Sequence, residues 1–130
     1  PVICSIHPRT KDKIEKFGLV VKNDQVRLME PFGFFDFVKL EKHCKLVLTD
    51  SGTVQEECCI FNIPTVTIRD TTERPETVEC GSNIISGLKS EDIFNCVKIM
   101  LSRDTNWDYP IGYTDSNVSD KIVKYLGGVI

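Results

Sequence analysis

The sequence predicts a parallel β-sheet flanked by helices on both faces. Two observations carry this expectation. Short apolar runs of about four to six residues alternate with stretches of helical period along most of the chain. These runs are short enough for strands and apolar enough to be buried on both faces, the pattern of strands joined by helical crossovers. At 130 residues the chain can form one domain with a core but not two.

Taken in order, residues 2–6 read as a buried strand and 10–18 as a short helix with Thr10 as its cap and Gly18 as its stop. Residues 26–29 form a second strand, and 34–43 a helix whose faces are set by Phe34, Phe37, Val38 and either Leu40 or Glu41. Residues 45–49 are a third strand running into a helix over 52–62, ended by Asn62 and Pro64. A fourth strand over 65–68 leads into a polar loop, Arg69 to Pro75, with Pro75 suited to the first turn of a helix over 76–80. Residues 83–86 are the fifth strand. Residues 90–102 are the clearest helix, capped by Ser90, with Ile93, Val97, Met100 and Leu101 as its stripe. An irregular segment over 105–117 precedes a last helix over 118–126, for which Asn117 is a candidate cap.

Hydrophobic residues make up 41% and charged residues 27%, the balance of a globular domain rather than a disordered one. The net charge of −3 and the lack of a polybasic stretch argue against nucleic acid as a partner, though not against a single nucleotide. The six cysteines include no C-x-x-C pair and only two histidines are present, so no metal site is expected. The expectation is free thiols in a reducing cytoplasm, with no signal peptide and no apolar run long enough to span a bilayer. Pro1 opens directly into a strand, which suggests a piece of a longer protein.

In parallel α/β sheets ligands bind at the carboxyl ends of the strands. After the third strand come Thr49, Asp50, Ser51, Gly52 and Thr53, then a helix. Gly52 allows close approach of a ligand, the first helical turn offers unpaired N–H groups, and Ser51 and Thr53 add hydroxyls. This is a phosphate cradle without a Walker lysine; the competing reading is a plain helix cap. Glu57, a little over one turn inside the helix, could accept hydrogen bonds from a ribose diol, or could belong to a solvated acidic face with Gln55 and Glu56. Arg74 could pair with a phosphate oxygen, or the loop's charges could pair internally, for example Arg69 with Glu73. Around residues 30–37 several phenylalanines gather, and one of them could stack on a base. His7 ends the first strand and could be structural or functional.

Together these segments resemble the non-hydrolysing UDP-N-acetylglucosamine 2-epimerase family. The resemblance rests on the run Thr-Asp-Ser-Gly-Thr-Val-Gln-Glu-Glu from Thr49 to Glu57, on Arg-Asp-Thr-Thr-Glu-Arg-Pro-Glu from Arg69 to Glu76, and on Glu30-Pro31 with Phe37. It implies the Rossmann-like carboxy-terminal half of a two-domain glycosyltransferase-B architecture. It implies that Ser51, Gly52 and Thr53 contact a diphosphate, that Glu57 binds the ribose and that Arg74 completes the site. Phe37 would pack near the uracil, the Phe32 backbone would contact the base, and His7 would lie towards the cleft or an allosteric site. The family inverts C2 of a UDP-N-acetyl sugar by anti-elimination of UDP and re-addition. Its acid/base groups would lie in an amino-terminal domain and a histidine motif upstream of Pro1, so these residues alone should bind UDP weakly and catalyse nothing. No cofactor, membrane or nucleic acid is implied, and the full-length enzyme would be a cytoplasmic homodimer in polysaccharide or capsule biosynthesis.

The sequence also departs from the common family form. Thr53 stands where a second glycine is usual, and Tyr109 to Tyr113 replace the common Asn-Pro-Tyr-Gly-Asp-Gly tail. Some segments are similar to epimerases of other UDP-acetamido sugars, including those on UDP-N-acetyl-L-fucosamine and diacetamido-uronate routes. The alternatives are such an epimerase, a UDP-sugar glycosyltransferase domain, or a flavodoxin-like module without UDP affinity.

Overall fold

The structure is a computed structural model and describes residues 1–128. It contains two compact units, Pro1–Leu40 and the residues from Glu41 onward. In the first, β1 (Val2–Ser5) pairs in parallel with β2 (Val26–Met29), Val2 opposite Val26 and Ser5 opposite Met29. Helix α1 (Pro8–Lys16) connects them, and α2 begins at Phe34 and runs to His43.

The second unit holds a three-stranded parallel sheet in the order β3 (Val47–Thr49), β4 (Thr65–Thr67), β5 (Asn83–Ile85). Val47 faces Thr65, which faces Asn83. Helices α3 (Gly52–Ile60), α4 (Pro75–Glu79), α5 (Ser90–Leu101) and α6 (Val118–Gly127) follow in sequence. The expected alternation of strand and helix is therefore present, all pairings are parallel, and the five strands are grouped as two plus three. Because the strands of the second unit run parallel, the segments after β3, β4 and β5 emerge at one edge.

Strand β4 is central, and Thr65, Val66 and Thr67 are all buried. Cys58, Cys59 and Val54 pack from α3 and Met100 from α5. Much of this core is polar: Gln55, Thr77, Ser82 and Asn83 are buried with the two strand threonines. Such groups are tolerated inside only when hydrogen-bonded. Thr67 Oγ1 donates to Asn83 Oδ1 at 2.8 Å, and Asn83 Nδ2 donates to Thr77 Oγ1 and Gln55 Oε1, each at 3.1 Å.

Several expected caps move. Helix α1 starts at Pro8 and is capped by His7, whose Nδ1 accepts from the Arg9 N–H at 3.2 Å, so Thr10 lies inside the helix. Pro8 fixes the start because its φ suits the first turn and it has no N–H to leave unpaired. Helix α5 takes Lys89 as its cap, making Ser90 its first residue, and Leu101 is 52% exposed rather than part of the inward stripe. Gly18 and Asn62 both adopt positive φ just beyond their helices, the left-handed stop expected of glycine or asparagine. The irregular segment over 105–117 is fastened by side chains: Trp107 Nε1 donates to Cys59 O at 3.1 Å, and Tyr113 Oη donates to Glu76 Oε1 at 2.8 Å.

Candidate functional site

The turn from β3 into α3 is set by Thr49, whose hydroxyl accepts from the Ser51 N–H at 3.0 Å. Ser51 is extended, with φ −90° and ψ 130°, and occupies the cap position, yet its side chain makes no capping bond. The first backbone bond of the helix is from the Gln55 N–H to Ser51 O at 3.3 Å. The N–H groups of Gly52, Thr53 and Val54 therefore precede the intrahelical ladder, and no cap hydroxyl covers them. The simple-cap reading of Ser51 fails on this point. Three amides and the positive end of the helix dipole are left facing the sheet edge where ligands bind.

Arg74 lies over the same helix start. A Cβ placed on Gly52 would lie 3.7 Å from Arg74 Cζ and 3.8 Å from its Nη2, so the guanidinium abuts the glycine backbone. The loop after β4 fixes it there. The Arg74 N–H donates to Thr72 Oγ1 at 3.0 Å and Nη1 donates to the Glu73 carbonyl at 3.0 Å. Nε pairs with Glu56 of α3, whose hydrogen bond raises the guanidinium's affinity for its proton above the ordinary value. The loop's other arginine is engaged internally: Arg69 Nη1 and Nη2 meet the two Glu73 oxygens at 2.9 Å each, which holds Glu73 below the usual carboxylate range. Both arginines of the loop thus carry an internal ion pair, Arg69 with Glu73 and Arg74 with Glu56, and of the two it is Arg74 that abuts the start of α3.

Gln55 joins these parts and was missed by the sequence reading, which placed it on a solvated face. It is fully buried. Its Oε1 accepts from Thr72 Oγ1 at 2.6 Å and from Asn83 Nδ2 at 3.1 Å, and its Nε2 donates to Ser51 O at 3.2 Å. One side chain therefore ties the helix start, the arginine loop and β5. The signal was available: Val54 and Gln55 precede Cys58 and Cys59 by four residues each, and all four form the inward stripe of α3. Glu56 was likewise read as solvated, and it instead orients Arg74.

Glu57 is half-buried on α3. Beside it lies Glu41, only 3% exposed, whose carboxyl is pushed up to about 7, first by burial and then by the charge and hydrogen bonding of Glu57. In the first unit Phe32 and Phe37 are half-buried, while Phe34 and Phe35 are 68% and 86% exposed and meet edge to face. His7 is exposed and its Nδ1 is occupied by the α1 cap, the structural role weighed for it. Among the described residues no helix is long and apolar enough to cross a membrane.

The arrangement is suited to an anion carrying more than one oxygen: backbone amides and hydroxyls on one side, a fixed guanidinium on the other. Known proteins carry the same segment. The family model described as UDP-N-acetylglucosamine 2-epimerase matches residues 1–127. The UDP-N-acetylglucosamine 2-epimerase of Methanocaldococcus jannaschii is 47% identical over 128 residues, covering 96% of this chain and 34% of that protein. The crystal structure of the M. jannaschii UDP-GlcNAc 2-epimerase in complex with UDP-GlcNAc and UDP superposes with a TM-score of 0.88 at 45% identity, covering 96% of this chain and 35% of that one. A UDP-2,3-diacetamido-2,3-dideoxy-D-glucuronate 2-epimerase of Pseudomonas aeruginosa is 36% identical over 97% of this chain and 34% of its own length. The chain thus spans about a third of the relatives it matches. On the family match and these identities, the chain belongs to the UDP-N-acetylglucosamine 2-epimerase family.

Proposed function

We propose that this chain is the UDP-holding part of an enzyme that inverts C2 of UDP-N-acetylglucosamine, the carboxy-terminal Rossmann-like domain of a two-domain protein. The observation that carries it is the uncapped start of α3 with the Arg74 guanidinium against Gly52. In this reading the amides of Gly52 and Thr53 and the Ser51 hydroxyl hold one phosphate, and Arg74 the other. Glu57 accepts from the ribose hydroxyls. Phe37 and the Phe32 backbone serve the uracil, on the strength of the family motif.

The chemistry assigned to the site is leaving-group handling. Loss of the C2 proton and cleavage of the C1–O bond release UDP and a 2-acetamidoglucal; re-addition of UDP with protonation of the opposite face completes the inversion. Arg74 and the helix start stabilise the charge on the departing diphosphate most when that charge is most developed. The groups that move the C2 proton, the homodimer and the cytoplasmic location are expectations for the longer protein.

Calorimetric titration of the intact protein with UDP tests the site. Arg74→Ala should weaken UDP binding about ten- to hundred-fold, the range of a lost charge-assisted hydrogen bond. Glu57→Gln should weaken UDP while leaving 2′,3′-dideoxy-UDP nearly unaffected. Unchanged UDP affinity in both variants would remove the site from these residues. Product analysis with UDP-N-acetylglucosamine and diacetamido-uronate substrates separates the two sugar classes; the higher identity to the N-acetylglucosamine enzyme favours the first.

A further inference from the structure

Glu41 is a carboxyl side chain in a place that offers it no donor. It is 3% exposed, and both its oxygens are fully covered and accept no hydrogen bond among the described residues. An ionised carboxylate there would lack both water and a counter-charge. The group whose charge bears on it from α3 is another acid, the half-buried Glu57. Two ionised carboxylates in contact repel; one proton between them turns the same contact into a donated hydrogen bond. A proton shared with the acidic neighbour and carried by the more buried partner removes the buried charge and gives one of the two orphaned oxygens a partner.

We propose that Glu41 is a positioning residue for the nucleotide site: as the neutral acid it donates its O–H to the Glu57 carboxylate and leaves the other lone pairs of that carboxylate directed at a ribose diol. This rests on the reading of Glu57 as the ribose acceptor. A carboxylate with one oxygen held by a donor cannot rotate freely, so the geometry of a bidentate diol contact is set before the ligand arrives. The side chain does not touch the ligand; it acts through Glu57.

The proton makes the arrangement pH-sensitive near neutrality, since the carboxyl of Glu41 is pushed up to about 7. Two thiols near it do not change charge there. Cys58, from α3, is pushed up to about 12, and Cys44, just beyond α2, is also raised, both by burial first, so both remain neutral thiols. Lys39 and His43, on the helix of Glu41 itself, each have interactions of their own.

The affinity of the intact protein for UDP-N-acetylglucosamine, followed from about pH 6 to about pH 8.5, supplies the test; the sugar-linked diphosphate has no ionisation of its own in that range. The unmodified protein should lose affinity several-fold as pH rises past about 7. Glu41→Gln keeps a donor for Glu57 but cannot titrate. It should bind at the acidic-side affinity across the whole range. Glu41→Leu, with no donor, should bind several-fold more weakly at every pH. With a 2′,3′-dideoxyuridine analogue all three should converge, because both hydroxyls of the contact being positioned are absent. A Glu41→Gln protein that retains the parent pH profile, or an equal pH effect on the dideoxy analogue, overturns the assignment. Should Glu41→Leu fail to fold, Glu41→Gln and the dideoxy analogue still decide. Absence of any UDP-sugar binding by the unmodified protein overturns the nucleotide site itself; binding that is flat with pH overturns only the role of Glu41.

Discussion

At the scale of single residues, Glu41 and Arg74 show opposite ways of handling charge. Arg74 is always charged, and Glu56 pairs with it in a part-buried position. Glu41 sheds its charge because it is buried against another acid. The cost to stability follows from the sign of its shift. Its affinity for a proton rises on folding from the ordinary value of 4.5 to about 7, so the native state holds a proton that the unfolded chain releases in between. Stability is at its full value below about pH 4.5 and is lost as pH climbs through about 7. Glu41→Gln should be more stable than the parent at pH 8 by roughly 2–3 kcal/mol, with the gap closing towards pH 4, in urea titrations at the two pH values. An equal gap at both would show that Glu41 is not the group responsible. The sequence left Leu40 and Glu41 as alternatives for the inward face of α2, and no more could be read: the acidic partner that decides the protonation of Glu41 sits on a different helix.

Among the elements, α3 is the organiser. Its start holds amides left without a side-chain cap, its inward stripe packs under β4, and Gln55 binds it to the loop of Arg74 and to β5. Replacing Gln55 by Leu keeps the volume but strands the Thr72 hydroxyl and an Asn83 N–H in a buried setting. We expect a loss of about 2–3 kcal/mol in denaturant unfolding. Amide exchange should be faster over residues 69–74 if the loop is released as the hydrogen bonds suggest. Strand positions were legible as short apolar runs, as at Val47–Thr49 and Asn83–Ile85, even where a strand residue such as Leu48 is exposed. The polar core was not legible. Thr65, Thr67, Thr77 and Asn83 are surface residues by composition, and only the tertiary hydrogen-bond network makes them interior. Caps failed for a more local reason. His7 displaced Thr10 because Pro8 fixes the first turn of α1, and the unpaired hydroxyl of Ser51 leaves α3 open where a plain cap would have closed it.

At the scale of the whole molecule, the proposed function makes the site a holder rather than a complete reaction centre. The groups gathered at α3 are a guanidinium, backbone amides, hydroxyls and a carboxylate flanked by a neutral acid, which together suit a diphosphate and a ribose. Inversion at C2 also demands a base on one face of the sugar and an acid on the other. The chain spans about a third of its relatives, and under the proposed function those groups would come from outside these residues. A polypeptide of these 130 residues should therefore bind UDP measurably but more weakly than the intact enzyme, since a ligand held from one side gains only part of the contacts that oppose its lost freedom. It should show no epimerase turnover in a coupled assay at enzyme concentrations where a full-length relative is readily detected. Arg74→Ala in the same polypeptide should abolish the residual UDP binding. Turnover at the full-length rate would show that the proton-moving groups lie within these residues, and the division of labour between a UDP holder and a separate acid/base region would have to be abandoned.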